Sequence, residues 1–255
     1  MKPVRITTVG CSFTYAQRKG WPDMLASKIE SSKNIKVDLR NEGHPGAGNT
    51  YIANKILLDT HTYFRPNIDL AVIMWSGLTR KDVLIDKDNT DVKNALTDYG
   101  YVRWANPSTE YVLSGGIVGS WMHHAMTEQI FGPLYKISNN KSMAAETLIH
   151  ILMLQNYFKA NNIPYIMSSY VNYWTDQPRV ADLDFGIAQF ADLRYLVKQI
   201  DFDRWVFANE QKDCIYELAK QNNDLQEDGW HPDFATHNKW ADLLIEKLES
   251  DNFFQ

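Results

Sequence analysis

The chain of 255 residues is poor in cysteine and carries no excess of basic residues. Its two cysteines, Cys11 and Cys214, are too few for a disulfide framework, and neither has the cysteine or histidine neighbours of a zinc site. With 26 Lys and Arg against 31 Asp and Glu, the formal net charge is −5, so the chain lacks the basic footprint of a nucleic-acid-binding protein. We therefore expect no nucleic-acid partner and a fold stabilised by packing.

Long apolar runs are also missing. No stretch approaches the roughly 20 apolar residues that span a bilayer, and the segment Met1–Gly10 lacks the apolar region of a secretion signal. We expect no membrane partner and a cytoplasmic protein, with a virion location or non-classical export left open. A composition of 44% hydrophobic and 22% charged residues, with only 13 Gly and 9 Pro, excludes disordered and collagen-like classes.

Strand and helix patterns alternate along the chain. Strand patterns cover residues 4–9, 35–39, 70–75 and 165–168. The run 70–75 is apolar throughout, as in a central strand buried on both faces. Helical patterns begin near Trp21-Pro22 and Tyr51, cover 144–160, and end with a helix from about Phe234. This alternation predicts an α/β fold of the flavodoxin-like kind, a doubly wound parallel sheet with helices on both faces, in one domain over residues 1–255.

Residues 80–141 break the alternation. The segment is rich in aromatic residues, namely Tyr99, Tyr101, Trp104, Tyr111, Trp121 and Tyr135, and is too long for an ordinary connection. We predict an aromatic-rich insertion over one edge of the sheet. Its rings could form a substrate lid, stacking on sugars or lining an acyl pocket, or could only pack the segment onto the domain. Further helices are predicted over 187–197 and 211–220, with a short strand at 205–207.

Two polar clusters are predicted at the carboxyl edge of the sheet, where ligands bind in such folds. Ser12 follows the first strand, so its hydroxyl is a candidate nucleophile, although a serine there could also only cap the next helix. His231 lies three residues after Asp228 in the run Asp-Gly-Trp-His-Pro. A turn would let the Asp228 carboxylate accept the Nδ1–H of His231, leaving Nε2 to take the Ser12 proton. We predict a Ser12-His231-Asp228 triad.

In their order along the chain, these residues resemble the SGNH (GDSL-type) hydrolase superfamily. The resemblance rests on three blocks: Gly-x-Ser-x-Thr at residues 10–14, Asn41-x-Gly43-x-x-Gly46, and Asp-x-x-His-Pro at residues 228–232. It implies the SGNH-type fold and a serine esterase with Ser12 as nucleophile. It also implies an oxyanion hole built from the backbone N–H groups of Ser12 and Gly46. No metal or organic cofactor is expected, because a covalent acyl-enzyme intermediate divides the reaction into two easier steps.

The third block of that family, Gly-x-Asn-Asp, is missing. After the third strand the chain reads Trp-Ser-Gly-Leu-Thr-Arg over residues 75–80, without the asparagine whose side chain donates to the oxyanion. Losing one such donor typically costs about 2.7–4 kcal/mol in the transition state. Ser76, Thr79 or Arg80 in this loop, or Asn49 after the second block, could replace it. Arg80 could instead only pair with an acid such as Asp82. Cys11, where the family usually has Asp, is expected to be a small buried residue and not a second nucleophile.

Three functions remain open from the sequence. The leading hypothesis is a serine esterase acting on a small ester or an acylated carbohydrate, with O-acetyl groups on a carbohydrate as candidate substrate. The missing asparagine favours a second one, a catalytically degenerate SGNH-like module that binds a glycan or has a structural role. A third is a flavodoxin-like cofactor binder, in which residues 10–14 hold a phosphate at a helix N-terminus.

Overall fold

The computed structural model of the chain describes residues 2–15, 19–61, 68–84, 111–113, 131–176 and 185–254. Its centre is a parallel sheet with strand order β2-β1-β3-β6. These strands are β1 (Val4–Val9), β2 (Val37–Asn41), β3 (Leu70–Trp75) and β6 (Tyr165–Ser169). A separate antiparallel ribbon joins β4 (Asp82–Leu84) to β5 (Tyr111–Leu113). The predicted parallel α/β sheet is confirmed.

Helices cover both faces of this sheet. They are α1 (Ser12–Tyr15), α2 (Trp21–Lys33), α3 (Asn49–His61), α4 (Gly132–Ile137), α5 (Asn140–Ala160), α6 (Arg194–Val197), α7 (Ile215–Gln221) and α8 (Phe234–Ser250). The β1-α2-β2 and β2-α3-β3 connections cross the sheet in opposite directions, so right-handed crossovers put α2 and α3 on opposite faces. Helix α8 packs against α2, and α5 packs against α3. Within the described ranges, every helix is too short or too polar to span a bilayer.

The core lies between the sheet and these two helix layers. All six residues of β3 are buried, as its apolar run predicts. In α8, Trp240, Leu244 and Leu248 are buried on one face, and Leu243 is half-buried beside them. Helix α5 begins four residues before the predicted start, at Asn140 instead of 144, because Asn139 caps it by accepting the Ser142 N–H at 2.8 Å.

Strand β2 begins at Val37, two residues later than predicted. Asn34 ends α2 in the left-handed conformation, with φ 54°, and the chain first pairs with β1 where Val4 lies opposite Val37. The predicted helix over 187–197 is instead two 3-10 turns, Ile187–Gln189 and Ala191–Leu193, followed by α6. The prediction was wrong there because the backbone of Phe190 is extended and interrupts the helix.

The helix predicted over 211–220 begins later, at Ile215. Lys212 has φ 62° and Cys214 is extended, so neither residue can continue a helix backwards from Ile215. The strand predicted at 205–207 is a single parallel bridge between Trp205 and Met167 of β6.

Most of the predicted insertion over 80–141 lies outside the described residues, including Tyr99, Tyr101, Trp104 and Trp121. Its described parts are the ribbon of β4 and β5, helix α4 and the start of α5. Tyr135 in α4 donates its hydroxyl to the Thr79 carbonyl oxygen at 2.9 Å. This bond ties α4 to the loop that follows β3. The role of the segment as an insertion or lid stays a prediction.

Candidate active site

The first loop of the site follows β1 and carries Ser12. Helix α1 begins at Ser12 itself, and the Tyr15 N–H donates to the Cys11 carbonyl oxygen at 3.0 Å. Gly10 has no room for a side chain: an added Cβ would lie 2.1 Å from Thr14 Oγ1 and 2.9 Å from the Met74 carbonyl oxygen. This tight turn holds the Ser12 hydroxyl at the carboxyl edge of the sheet, beside the end of β3.

The second loop, which follows β2, is bound to the first. The His44 N–H donates to the Gly10 carbonyl oxygen at 3.0 Å. The Asn41 side chain donates to the Thr14 carbonyl oxygen at 3.0 Å and accepts the Gly43 N–H at 2.9 Å. These bonds fix the loop that contains Gly46 against the turn that contains Ser12.

Two backbone donors are left without acceptors at this junction. Within the described part of the chain, neither the Ser12 N–H nor the Gly46 N–H has a hydrogen-bond partner. Gly46 has φ 80°, a conformation that costs a residue with a side chain about 1–2 kcal/mol. Unpaired N–H groups on adjacent loops are suited to hold a negatively charged oxygen.

The third element is the loop before α8, which joins Asp228 and His231 to Ser12. His231 Nδ1 lies 2.5 Å from Asp228 Oδ2, and His231 Nε2 lies 2.8 Å from Ser12 Oγ. A carboxylate can only accept, so Nδ1 carries the imidazole proton and Nε2 is free to accept from the serine hydroxyl. The structure thus brings all three residues of the predicted triad into one continuous chain of contacts.

The backbone of this loop is fixed independently of the triad. The Gln226 N–H donates to the His231 carbonyl oxygen at 2.8 Å, and the Gly229 N–H returns to the Gln226 carbonyl oxygen at 2.9 Å. Gly229 has φ 72°, which the turn requires. The Trp230 ring stacks on Tyr216 of α7 with centroids 5.8 Å apart. His231 is therefore presented by a preformed turn.

The electrostatics of the pair favour an ionised carboxylate. Partial burial raises the pKa of Asp228, but hydrogen bonds from the His231 side chain and from the His231 and Trp230 N–H groups outweigh it, so the pKa lies below its usual value. The side chains of His231 and Asp228 are 34% and 45% exposed. The His231 ring packs on Phe13, with centroids 5.1 Å apart. The imidazole is thus held by an aromatic ring and a carboxylate that is charged at neutral pH.

Two of the residues predicted as replacement oxyanion donors have other partners or no access to solvent. Asn49 donates both amide protons, to the Ser76 carbonyl oxygen at 3.3 Å and to Thr147 Oγ1 at 2.9 Å, and accepts the Ser76 N–H at 2.8 Å. The Ser76 hydroxyl is fully buried and has no partner among the described residues. Asn49 and Ser76 thus fix the loop after β3 to α3 and α5.

Arg80 lies inside the site. Its Nη1 donates to the Ala47 carbonyl oxygen at 3.2 Å, and its guanidinium lies 5.3 Å from the centre of the Tyr170 ring. Tyr170 in turn packs on Phe13 at 4.6 Å. Cys11 is itself fully buried, which agrees with its predicted role as a small core residue.

Sequence reasoning considered Asp82 only as an acid that could pair with Arg80, and missed its role in the second loop. Its carboxylate accepts the Gly48 N–H at 2.9 Å and the Tyr51 N–H at 2.8 Å, so it holds the second loop where α3 begins. Burial raises the pKa of Asp82 to about 6. No local pattern singles it out, because it lies in the aperiodic segment after β3. The role of Tyr170 was missed as well, although it follows β6 at the carboxyl edge where site residues are expected.

Comparison with known proteins identifies the fold. No family model and no curated protein sequence matches the chain. Among solved structures, an acetylxylan esterase from Geobacillus stearothermophilus is 14% identical, with 96% of this chain and 94% of that chain covered and a TM-score of 0.52. A GDSL-like lipase from Parabacteroides merdae is also 14% identical, with coverage of 99% and 97% and a TM-score of 0.53. The chain therefore has an SGNH/GDSL hydrolase-type fold, as the sequence predicts.

Proposed function

We propose that this protein is a serine esterase of the SGNH type. The observation that carries the proposal is the uninterrupted contact from Ser12 Oγ through the His231 ring to Asp228, at 2.8 Å and 2.5 Å. Both distances are within hydrogen-bond reach, as required for an activated nucleophile and an oriented base. The solved structures with the same fold include proteins named as esterases and lipases, which supports hydrolysis of an ester.

The reaction proceeds by acyl transfer. His231 Nε2 removes the proton from Ser12 Oγ as the oxygen attacks the ester carbonyl, and the Asp228 carboxylate stabilises the imidazolium that forms. The imidazolium then gives its proton to the leaving alcohol, which produces an acyl-enzyme on Ser12. Water, deprotonated by His231, attacks this intermediate and releases the acid.

The tetrahedral intermediate carries a negative charge on the former carbonyl oxygen. The backbone N–H groups of Ser12 and Gly46 bind this oxygen in the proposal, because both lie at the junction of the first two loops without other acceptors in the described part of the chain. Preorganised donors of this kind stabilise the transition state without reorganisation. The covalent route requires no metal or organic cofactor.

The proposed substrate is a small ester or an acylated carbohydrate. An acetylxylan esterase among the solved structures of the same fold favours an O-acetylated sugar. Aromatic residues flank His231 in sequence: Trp230 precedes it, and Phe234, three residues after it, is 62% exposed. Flat apolar rings at the rim of a site are suited to contact sugar faces.

Active-site labelling tests the proposal. The purified protein is treated with a fluorophosphonate probe, the adduct is located by mass spectrometry, and Ser12→Ala and His231→Ala are treated in parallel. His150→Ala serves as a matched control, because His150 lies on α5 and has no contact with Ser12. We expect one adduct per chain on Ser12, lost in both triad variants and retained in the control.

A wild-type protein that forms no adduct, under conditions that label a known serine esterase, contradicts the proposal. The catalytically degenerate glycan-binding module then becomes the better hypothesis. An adduct on Ser12 that persists in His231→Ala would contradict the role of His231 as base while leaving Ser12 as a reactive residue.

A further inference from the structure

We propose that Arg80 supplies the third oxyanion donor, so that a guanidinium performs the task for which related folds use an asparagine amide. The inference rests on the proposed esterase function and deepens it. In its place after β3, Arg80 belongs to the loop that lacks this asparagine.

The contacts of Arg80 bring its guanidinium to the junction of the first two loops. Nη1 donates to the carbonyl oxygen of Ala47, the residue after Gly46. The guanidinium also lies 5.3 Å from the centre of the Tyr170 ring, and that ring packs on Phe13, the residue after Ser12. A guanidinium has five N–H donors in a rigid fork, and the bond to Ala47 leaves N–H groups unused.

The charge of Arg80 has no direct counterion in the described part of the chain. The nearby acid is Asp82, whose charge attracts the guanidinium, but its two oxygens accept the N–H groups of Gly48 and Tyr51 and make no direct contact with Arg80 among the described residues. The ring of Tyr170 covers one side of the cation. A half-buried cation without a carboxylate in direct contact is costly for folding. The negative charge that develops on the substrate oxygen would supply the missing counterion.

The other candidate donors are weaker or unable to reach a substrate. Both amide protons of Asn49 already have acceptors, and the Ser76 hydroxyl is fully buried. Thr79 is the remaining candidate, since its hydroxyl has no hydrogen-bond partner in the described part of the chain, although its carbonyl oxygen accepts from Tyr135. A hydroxyl provides one neutral donor, whereas hydrogen bonds from a charged donor are roughly twice as strong. Thr79 is therefore included in the test as the competing residue.

The test compares Arg80→Met, Arg80→Lys and Thr79→Val with the wild type. Arg204→Met is the matched control, because Arg204 is 44% exposed and pairs with Asp251 at 3.0 Å. Each protein is assayed with uncharged p-nitrophenyl acetate, with a carboxylate-bearing p-nitrophenyl ester, and with a trifluoromethyl ketone, which forms an anionic adduct with the active serine. Melting temperature and the final extent of fluorophosphonate labelling show whether the fold and Ser12 remain intact.

We expect Arg80→Met to lower kcat/KM roughly 10²–10³-fold, as loss of one oxyanion donor does elsewhere. The trifluoromethyl ketone should lose affinity by a similar factor while KM for the neutral ester changes less than about threefold, because the lost interaction belongs to the transition state. Arg80→Lys should recover part of the loss, and Thr79→Val and Arg204→Met should behave like the wild type. Labelling of Ser12 should be slower in Arg80→Met but reach the same final extent.

Several results overturn the inference without touching the esterase proposal. One is a wild type that labels on Ser12 while Arg80→Met keeps its kcat and its ketone affinity. A second is a loss that appears in Thr79→Val instead. A third is a defect restricted to the KM of carboxylate-bearing esters, which would make Arg80 a substrate-anion site. If Arg80→Met fails to fold, Arg80→Lys decides, and wild-type kcat and ketone affinity in that variant contradict a role for the planar guanidinium. Absence of Ser12 labelling in the wild type overturns the esterase proposal itself.

Discussion

Replacing Asp228 by asparagine tests the triad most directly, because it changes one charge and preserves the turn. Asp228 Oδ1 accepts the N–H groups of Trp230 and His231 at 2.8 Å and 3.0 Å, and an asparagine oxygen can keep both bonds. The other atom, which faces His231 Nδ1 at 2.5 Å, becomes an NH2 group. That group donates, so it favours the tautomer in which Nε2 carries the proton and cannot accept one from Ser12.

The expected loss of kcat depends on the attraction between the Asp228 carboxylate and the imidazolium that forms on His231. That attraction depends in turn on how exposed the two side chains are. Two unit charges about 4 Å apart interact by about 4 kcal/mol at an effective dielectric constant near 20, and by about 1 kcal/mol in bulk water. The side chains of His231 and Asp228 are 34% and 45% exposed, so the real value lies between these limits. The tautomer change adds to this loss; an asparagine at a buried triad aspartate lowers kcat about 10⁴-fold. We expect kcat of Asp228→Asn to fall roughly 10²–10³-fold at neutral pH, with KM little changed.

The assay is steady-state hydrolysis of a p-nitrophenyl ester, with melting temperatures recorded for each protein. Asp233→Asn is the matched control: it makes the same change in the same loop, but Asp233 caps α8 through the Phe234 N–H at 2.8 Å and does not contact the His231 side chain. The control should retain its activity, since asparagine is also a good N-cap. If Asp228→Asn keeps more than roughly a tenth of wild-type kcat, the carboxylate does not orient and stabilise the imidazole as argued.

Three further predictions concern the loops that position the site. Burial raises the pKa of Asp82 to about 6, so its contribution to stability is present below its unfolded pKa and is lost as the pH rises through about 6. As the pH falls from about 7 to about 4, the unfolding free energy of the wild type should rise by up to about 3 kcal/mol relative to that of Asp82→Asn. Urea titration measures both proteins, and a difference that does not depend on pH contradicts this prediction. Gly43→Ala should lower the unfolding free energy by about 1–3 kcal/mol and reduce activity, because the new Cβ would lie 2.5 Å from the Tyr15 backbone nitrogen; an unchanged melting temperature contradicts the close contact. Asn41→Ala removes the partner of three groups: the Thr14 carbonyl oxygen, the Gly43 N–H and the Thr8 hydroxyl. Each group left unpaired should cost about 1–3 kcal/mol, which calorimetry measures, and a neutral effect refutes the bracing role.

The parts of the fold that the sequence predicts are those whose signal is local. The apolar run of β3 and the single buried face of α8 follow directly from periodicity. The segment over 187–197 has the composition of a helix, but the extended backbone at Phe190 divides it into separate turns, which no periodicity reveals. The ribbon of β4 and β5 pairs Asp82 with Leu113, and such distant pairing leaves no short-range signal.

The candidate site likewise has one part that the sequence predicts and another that it does not. A spacing of three residues lets Asp228 reach His231 within one turn, so that contact follows from sequence, and the parallel sheet explains why Ser12 comes near both. The fate of the four replacement donors could not be predicted. It depends on Asn49, whose bonds to Ser76 set the path of the loop after β3 and leave Arg80 beside Ala47. Side-chain orientation in an irregular loop is a tertiary property.

The energetics of the triad favour an enzyme over a module that only binds. Even a full ion pair at this exposure contributes only about 0–1 kcal/mol to stability, so the fold gains little from holding His231 and Asp228 in contact. The turn that presents them also requires Gly229 at φ 72°. A phosphate-binding turn at Ser12 would use the same free N–H groups but needs no base at 2.8 Å from the serine oxygen. An arrangement that adds little to folding and is unnecessary for anion binding is accounted for by proton transfer at Ser12.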